Sequence, residues 1–465
     1  MDTRTTVVPT FTVIFGVALL VAVIAAVVVA AVAPPAFAAI EKPPSFESVV
    51  AGDGDHLDAA TRLAVGPDGT LYGCGSIWHD ATGYDITITR YDDAPLGWTR
   101  TWNGAGRNAD DSAVDIAVAA DGAIYVYGSE AGGEDAQPVL LKYSSTGDRV
   151  WVAHEASRPW GYAGWIALDG DGNVYACSKE DNEGSGGTIG VLTKYRPDGT
   201  VAWAQDYGIN TYKPDMGSGH LCIADNGIAY VGGSVEGTDI GQRAFLVCFS
   251  AGGRRRWTRL YAGPGKMGAW FSTLAPFPSG GVYAVGAARS DASDILVTRY
   301  TAAGTRVLTR RLGVGDGRRQ WASDAAVDSL GRIAVCGGWR RSGKGFYVVL
   351  LRRDGSVRWS HNFRGDNVSG FAKGVVVDTA DRVCVTGNAP GTQGATYNPG
   401  RIATYAFSRP GVLRWSCLWP TALIDSNGPE PRDIAAYQTS NVWVCGSSDD
   451  RPGTGPDQFV IGWGL

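Results

Sequence analysis

The sequence predicts an all-β fold: an eight-bladed β-propeller of four-stranded antiparallel blades, its ring closed by an N-terminal strand that completes the last blade. Three observations predict it. One unit recurs roughly every 50–60 residues, the spacing of propeller blades. Glycine supplies 65 of the 465 residues and tryptophan 16, a composition of many tight turns between strands that bury large rings. Glycine followed four residues later by tryptophan returns in one register, at Gly147/Trp151, Gly199/Trp203, Gly253/Trp257, Gly355/Trp359 and Gly411/Trp415.

Taken in chain order, the first element is not part of the propeller. Phe11 to Ala33 is almost wholly apolar and long enough to cross a bilayer, and Ala36-Phe37-Ala38 has the small-x-small form of a signal-peptidase site. Residues 1–38 read as a signal peptide or an N-terminal membrane anchor, and residues 39–465 as the propeller. Both readings make the propeller extracytoplasmic, either secreted or held at the membrane by residues 11–33. No cysteine near Ala38 offers a site for lipidation.

Repeats start near residues 57, 112, 163, 218, 270, 323, 372 and 432. Each opens with a small, weakly polar strand such as Leu63-Ala64-Val65, Ile116-Ala117-Val118, Ile166-Ala167-Leu168 or Val375-Val376-Val377. A turn follows at Gly69, Gly122, Gly172, Gly227, Gly280, Gly331, Asp381 and Ser440, and three of these turns read Asp-Gly, which tolerates positive φ. Second strands are expected from Leu71, Ile124, Val174, Ala229, Val282, Ile333, Val383 and Val442. A variable loop leads to the third strand, a second glycine turn to the fourth.

The fourth strand carries the tryptophan. Leu308 takes that place after Gly304, and the first repeat breaks register, with Trp98 directly after Gly97. Trp151, Trp203, Trp257, Leu308, Trp359 and Trp415 are expected to dock on the neighbouring blade. The eighth repeat stops at Leu465 after three strands, and Phe46 to Val50 stands before the first repeat where a fourth strand stands elsewhere. That segment is expected to complete the last blade and remove the open edge.

The net charge is −5 and the longest basic run is Arg254-Arg255-Arg256, so no nucleic-acid footprint is present. No P-loop or Gly-x-Ser-x-Gly elbow occurs, and the five histidines lack metal-ligand spacing. No catalytic constellation can be assigned. Asp169-Gly170-Asp171-Gly172-Asn173 shares its acidic spacing with calcium loops, which makes Asp169, Asp171 and Asn173 the metal candidates; a plain Asp-Gly turn explains the same residues. Cys74, Cys177, Cys336 and Cys445 share one position of the repeat and read as small core residues. Cys222, Cys248, Cys384 and Cys417 lie elsewhere and leave room for one bridge.

The second-to-third loops and the blade-to-blade connections are long and emerge on one face of the disc, the expected binding surface. The loops contribute Trp78, His79, Asp80, Tyr84, Trp339, Arg340 and Arg341. The connections contribute His56, Asp58, Trp160, Tyr162, His220, Trp270, Phe271 and Trp321. Exposed rings with a few charges suit a protein, peptide or glycan partner; the alternative is that the rings fill the tops of the blade cores. The leading expectation is an exported, non-enzymatic binding or scaffold module.

Thr146-Gly147-Asp148-Arg149-Val150-Trp151 ends as the Trp-docking motif Thr-Gly-x-x-x-Trp does, and the other copies keep Gly-x-x-x-Trp. In this the chain resembles the bacterial propellers with quinoprotein-like repeats, over residues 45–465. The resemblance implies the architecture. It also raises an alternative function, an oxidoreductase using pyrroloquinoline quinone and calcium at the axis. The adjacent cysteine pair usual in those dehydrogenases is missing here. Asp, Asn and Arg gathered around a Trp at the axis would favour that enzyme; an axis of Ala, Val and Ser would oppose it. A third reading is an envelope-anchored structural protein.

Overall fold

The computed structural model describes residues 40–465 except 54–55, 93–96, 105–108, 131–135, 156–160, 183–186, 209–212, 225, 238–240, 290–292, 314–318, 341–343, 364–369, 390–400, 420–428 and 449–456. The segment 1–38 expected to direct export therefore lies outside the described residues. Among the described residues no helix is long and apolar enough to cross a membrane.

The strands form eight antiparallel sheets. Each is one blade, numbered here one to eight in chain order. The innermost strands are Ala59–Val65, Ser112–Val118, Gly161–Leu168, Lys213–Ile223, Ala269–Pro276, Arg319–Val327, Ala372–Val377 and Glu430–Tyr437. The outermost are Trp98–Trp102, Arg149–His154, Val201–Asp206, Arg255–Tyr261, Arg306–Leu312, Val357–Phe363, Leu413–Trp419 and, for blade eight, Phe46–Val50. Phe46–Val50 pairs antiparallel with Asp457–Gly464, so the ring closes as expected. The chain just before it ties blade seven to blade eight: Lys42 N donates to Ser416 O at 2.9 Å, and the Trp463 indole of blade eight donates to Lys42 O at 3.1 Å.

The glycine turns do two jobs at once. Gly147, Gly199, Gly253, Gly304, Gly355 and Gly411 all have φ between 79° and 95°, a conformation L side chains rarely adopt. They are also the surface on which the preceding blade docks. A Cβ on Gly253 would stand 2.7 Å from the Trp203 ring, and one on Gly304 2.7 Å from Trp257. The indoles then donate across the blade boundary: Trp151 to Pro197 O at 3.2 Å, Trp203 to Ala251 O and Trp257 to Ala302 O, both at 3.0 Å. Leu308 fills the same seat over Gly355. Trp359 lies over Gly411, while Trp415, next to the chain ends, packs on Trp463 instead.

Trp98 corrects the sequence expectation. Its register break is local, because its ring lies over Gly147 like the others, 2.8 Å from where a Cβ would be. In blade eight, positive φ falls at Gln438 (φ 46°) and not at Ser440. Ser440 N is instead bonded to Tyr437 O, and its carbonyl receives Leu465 N.

All eight cysteines are free and buried, so the bridge left open among Cys222, Cys248, Cys384 and Cys417 does not form. They sit on strands inside apolar clusters, where burial raises each thiol and keeps it in the unreactive protonated form.

Candidate functional site

On the long-loop face, one group of expected residues comes together. Trp78 and His79 end the second strand of blade one, Leu71–His79, and Tyr84 begins the third, Gly83–Tyr91. His56, from the connection into blade one, stacks on the Trp78 indole with ring centroids 3.9 Å apart. Tyr84 meets the same indole edge-on at 5.0 Å. Asp58 is buried at 3% exposure and fixes the group from beneath, accepting Trp78 N at 2.7 Å and the amide of Gly52. Burial raises its carboxyl above the usual range, against the pull of those two amide bonds. Asp80 accepts the Trp78 indole N–H at 3.2 Å, Asp53 meets His79 Nδ1 at 3.3 Å, and Asp110 accepts Tyr84 N at 3.2 Å. The result is a firm aromatic patch edged by three carboxylates.

The other expected residues do not join it. Trp339 is buried, its indole bonded to Asn362 Oδ1 at 3.0 Å and its ring laid over Gly345, so it is a core ring and not a binding ring. The glycine-rich surroundings that marked it as a loop are the space the ring needs. Phe271 is likewise buried, and Trp321 packs on Phe371 at 4.7 Å. Trp270 is half-buried beneath Arg289, Tyr162 is 45% exposed on the innermost strand of blade three, and Arg340 is exposed at a strand end. Trp160 and Arg341 lie outside the described residues.

Asp169, Asp171 and Asn173 form a turn whose carboxylate is already committed. Asp169 accepts Asn173 N at 2.9 Å, Asp171 N at 3.1 Å, Asn173 Nδ2 at 3.0 Å and the Lys194 ammonium at 2.9 Å. Burial opposes its charge, but Lys194 and Asn173 outweigh it and hold the carboxyl below the usual range. A lysine occupies the position a calcium ion would need.

His220 belongs to a second site, at the axis. Each innermost strand has an irregularity in pairing at the same level, such as between Ala60 and Arg62, Ala113 and Asp115, and Ala322 and Asp324. A bulge re-aims the side chain that follows it. Around the ring that position holds Arg62, Asp115, Trp165, His220, Thr273, Asp324, Gly374 and Asp433, one per blade.

Three of these are tied to structure. The inner edge of every blade presents backbone N–H groups without a strand partner. Asp433 accepts Leu63 N, Asp115 accepts Ile166 N and Asp324 accepts Val375 N, each at 2.9 Å and each on the next blade round the ring. The carboxylates stitch neighbouring innermost strands together. Burial pushes Asp115 and Asp324 up to about 6, Arg62 and the amide bonds pulling the other way.

Arg62 crosses the shaft. Its guanidinium lies 4.2 Å over the Trp165 ring and 3.8 Å from Asp433 Oδ1. Burial works against its charge, but Asp433, Asp115 and Asp324 hold it above the usual arginine value. His220 stacks on Trp165 at 4.4 Å and 18°. Burial, with Arg62 adding, lowers His220 to about 3, so it is neutral at physiological pH. Two groups this close cannot share one face of an indole, so Trp165 is sandwiched. Two residues further along six of the innermost strands, on the same face of each, stand Ala64, Ala117, Ala167, Ala275, Ala326 and Val376. A cavity of ≈ 690 Å³ lined by Leu274, Ala275, Phe277 and Val327 opens at that end, on the turn face.

The axis thus meets both compositions set out above, charged at one level and small and apolar at the next. The residues present do not fit a planar quinone with calcium. Both faces of Trp165 are covered, and each axial aspartate already spends an oxygen on a backbone amide. Arg62, Asp115, Trp165, Asp324 and Asp433 were not singled out from sequence. The signal was the column directly before Leu63, Ile116, Ile166 and Val375.

No protein-family model matches the chain, and no curated protein is similar to it. Solved structures are. A puromycin hydrolase aligns with TM-score 0.50 and 13% identity over 88% of this chain, which spans 62% of that protein. The polysaccharide lyase Uly1 aligns with TM-score 0.48 and 9% identity, over 85% of this chain and 88% of its own. A eukaryotic initiation factor aligns with TM-score 0.46 and 8% identity, over 90% and 92%. Such likenesses carry the fold alone: the chain is an eight-bladed β-propeller, similar in architecture to proteins of unrelated activity.

Proposed function

We propose that this chain is an exported, non-enzymatic binding module that engages a protein, peptide or glycan partner on its long-loop face. The observation that carries the reading is the Trp78 patch. Residues from two different loops, His56 and Tyr84, pack around one indole, and the buried Asp58 fixes its backbone. A ring held this way loses little freedom on binding, and the carboxylates of Asp53, Asp80 and Asp110 supply acceptors at its edge. The apolar Phe11 to Ala33 stretch supports export.

The test is binding of the purified chain to peptide and glycan arrays, followed by calorimetry on the ligands retained. Trp78→Ala is expected to weaken binding by at least roughly tenfold, the loss of one central aromatic anchor, with the melting temperature kept. A turn-face control, Phe277→Ala, is expected to bind normally. Loss in the control and not in Trp78→Ala would move the site to the turn-face cavity.

The oxidoreductase reading rests on Arg62, Asp115, Asp324 and Asp433 around Trp165. It requires either Arg62 or His220 to leave the indole. A melting temperature raised by calcium and pyrroloquinoline quinone together, and by neither alone, would establish it over the binding module.

A further inference from the structure

The outer rim, away from the patch and the axis, is unevenly charged. Six of the ten arginines on the outermost strands stand on two neighbouring ones, Arg255–Tyr261 of blade four and Arg306–Leu312 of blade five, and neither strand carries an acid. The chain as a whole has a net charge of −5, so this surplus is local. Pairing register places part of it in the seam between the two blades. Arg259 and Tyr261 pair with Leu246 and Ala244, and Arg306 and Arg311 with Tyr300 and Leu296; all four partners belong to the core shared by blades four and five.

The guanidiniums meet across that seam. Arg259 Nε donates to Gly304 O of blade five at 2.8 Å, and the Arg306 guanidinium lies 5.4 Å over the Tyr261 ring of blade four. Burial raises the Tyr300 phenol, and Arg306 and Arg259 both pull the other way, so the two charges converge there. Arg256 is exposed at the start of the same strand, and its charge opposes the rise that burial causes at Cys248 in that core. Arg259 has a structural duty, since Arg100 makes the same bond to Gly147 O. Arg311 meets Asp294 at 3.5 Å, and Arg256 and Arg306 meet no carboxylate among the described residues. Like charges crowded this way repel one another and call for an anion from outside. Arg306 and Arg311 alone are five residues apart, about 17 Å along a strand, so one small anion cannot reach both. Tyr261 is held between the core and Arg306, and Trp257 and Tyr300 are buried. Among the described residues the seam therefore offers no open ring for a base to stack on or for a protein interface to centre on.

We propose that this seam binds an acidic polysaccharide, whose successive carboxylate or sulfate groups are held by the guanidiniums of Arg256, Arg306 and Arg311. A guanidinium fork matches both kinds of group and binds them by charge-assisted hydrogen bonds. The site lies on the rim and is independent of the Trp78 patch.

The experiment is calorimetry of the full chain with polygalacturonate, dextran sulfate and neutral dextran. Binding of a charged polymer and not of neutral dextran is expected, weakening as salt is raised. Which charged polymer binds the tighter tells carboxylate from sulfate. Arg256→Gln/Arg306→Gln is expected to weaken binding by at least roughly tenfold, through loss of two charge-assisted contacts. Its melting temperature should hold or rise, because neighbouring like charges are removed. Arg149→Gln/Arg414→Gln takes the same charge from exposed rim positions of blades two and seven and should bind as the parent does. Trp78→Ala should also bind normally, which keeps this site apart from the patch. Equal losses in the two double variants would overturn the proposal, since net charge alone would then explain the binding. So would a parent chain that binds neither charged polymer, or one from which poly-glutamate or duplex DNA displaces them at lower concentration, which would give the seam to a protein or a nucleic acid.

Discussion

Around the rim of the disc a ring lies over a glycine in blade after blade, while around the axis the equivalent position changes from each blade to the next. At the rim, Trp98, Trp151, Trp203, Trp257 and Trp359 repeat one contact, with Leu308 as the single smaller copy. At the axis, Arg62, Asp115, Trp165, His220, Thr273, Asp324, Gly374 and Asp433 fill one structural position with no two neighbours alike. The rim contact is a packing problem solved once, because every blade boundary poses it identically. The axis brings all eight positions into one shaft, so each side chain must suit those across from it. A single repeated charge would repel itself there. Three carboxylates instead share one guanidinium, and a neutral histidine and an indole take the remaining space.

The largest expected effect tests what both regions depend on, the closure of the ring. Deleting Phe46 to Val50 strips the outermost strand from Asp457–Gly464 and opens an edge. The deletion variant is expected to lose its cooperative transition in calorimetry, and rim and axis fail together. A sharp transition of parental enthalpy would show that blade eight stands without its N-terminal strand. Next comes the rim alone. Trp257→Ala, in a seat where the ring is 9% exposed, is expected to cost about 3–5 kcal/mol by urea denaturation, the usual range for a core tryptophan. Leu308→Ala, in the half-buried copy of that seat, should cost about 2 kcal/mol. Equal losses would mean that the glycine shelf, not the ring on it, sets the strength of the contact.

The same contrast explains what the sequence made legible. Eight blades, the closing strand and the docking register are all repeated features, and repetition exposes a physical requirement even at low identity between copies. Trp98 was misjudged only because it follows Gly97 directly, without the spacing of the other copies, while the seat over Gly147 is unchanged. The axial ring was overlooked for the opposite reason: its column varies, so it looked like noise beside the regular Leu-Ala-Val and Ile-Ala-Val that follow it. Trp339 misled because a glycine-rich setting fits both an exposed loop and a strand making room for an indole. Only the register Trp339–Gly345 tells them apart, and pairing register is a tertiary fact. His56 and Trp78 lie on separate segments, and their stacking depends on blade one being folded.

The smallest expected effect separates the axial groups by sign. Asp115 and Asp324 have folded values of about 6, above the ordinary carboxylate value of about 4. The folded state therefore holds more protons than the unfolded one between about pH 4 and pH 6. Their contribution is fully present below the lower value and is lost as pH rises through the upper, by about 2–3 kcal/mol for each carboxylate. His220 works the other way. Its folded value of about 3 lies below the ordinary 6.5, so the unfolded chain gains the proton and stability falls as pH drops through the same window, again by about 2–3 kcal/mol. Arg62 faces all three groups and keeps its charge across that range, so it shifts the values without adding a slope there. Urea denaturation at pH 4, 5, 6 and 7 resolves the two signs. The stability of Asp115→Asn/Asp324→Asn relative to the parent is expected to rise with pH, and that of His220→Gln to fall. Parallel slopes would mean that the three side chains do not share one shaft, and the axis would then be a row of independent seats, as the rim is.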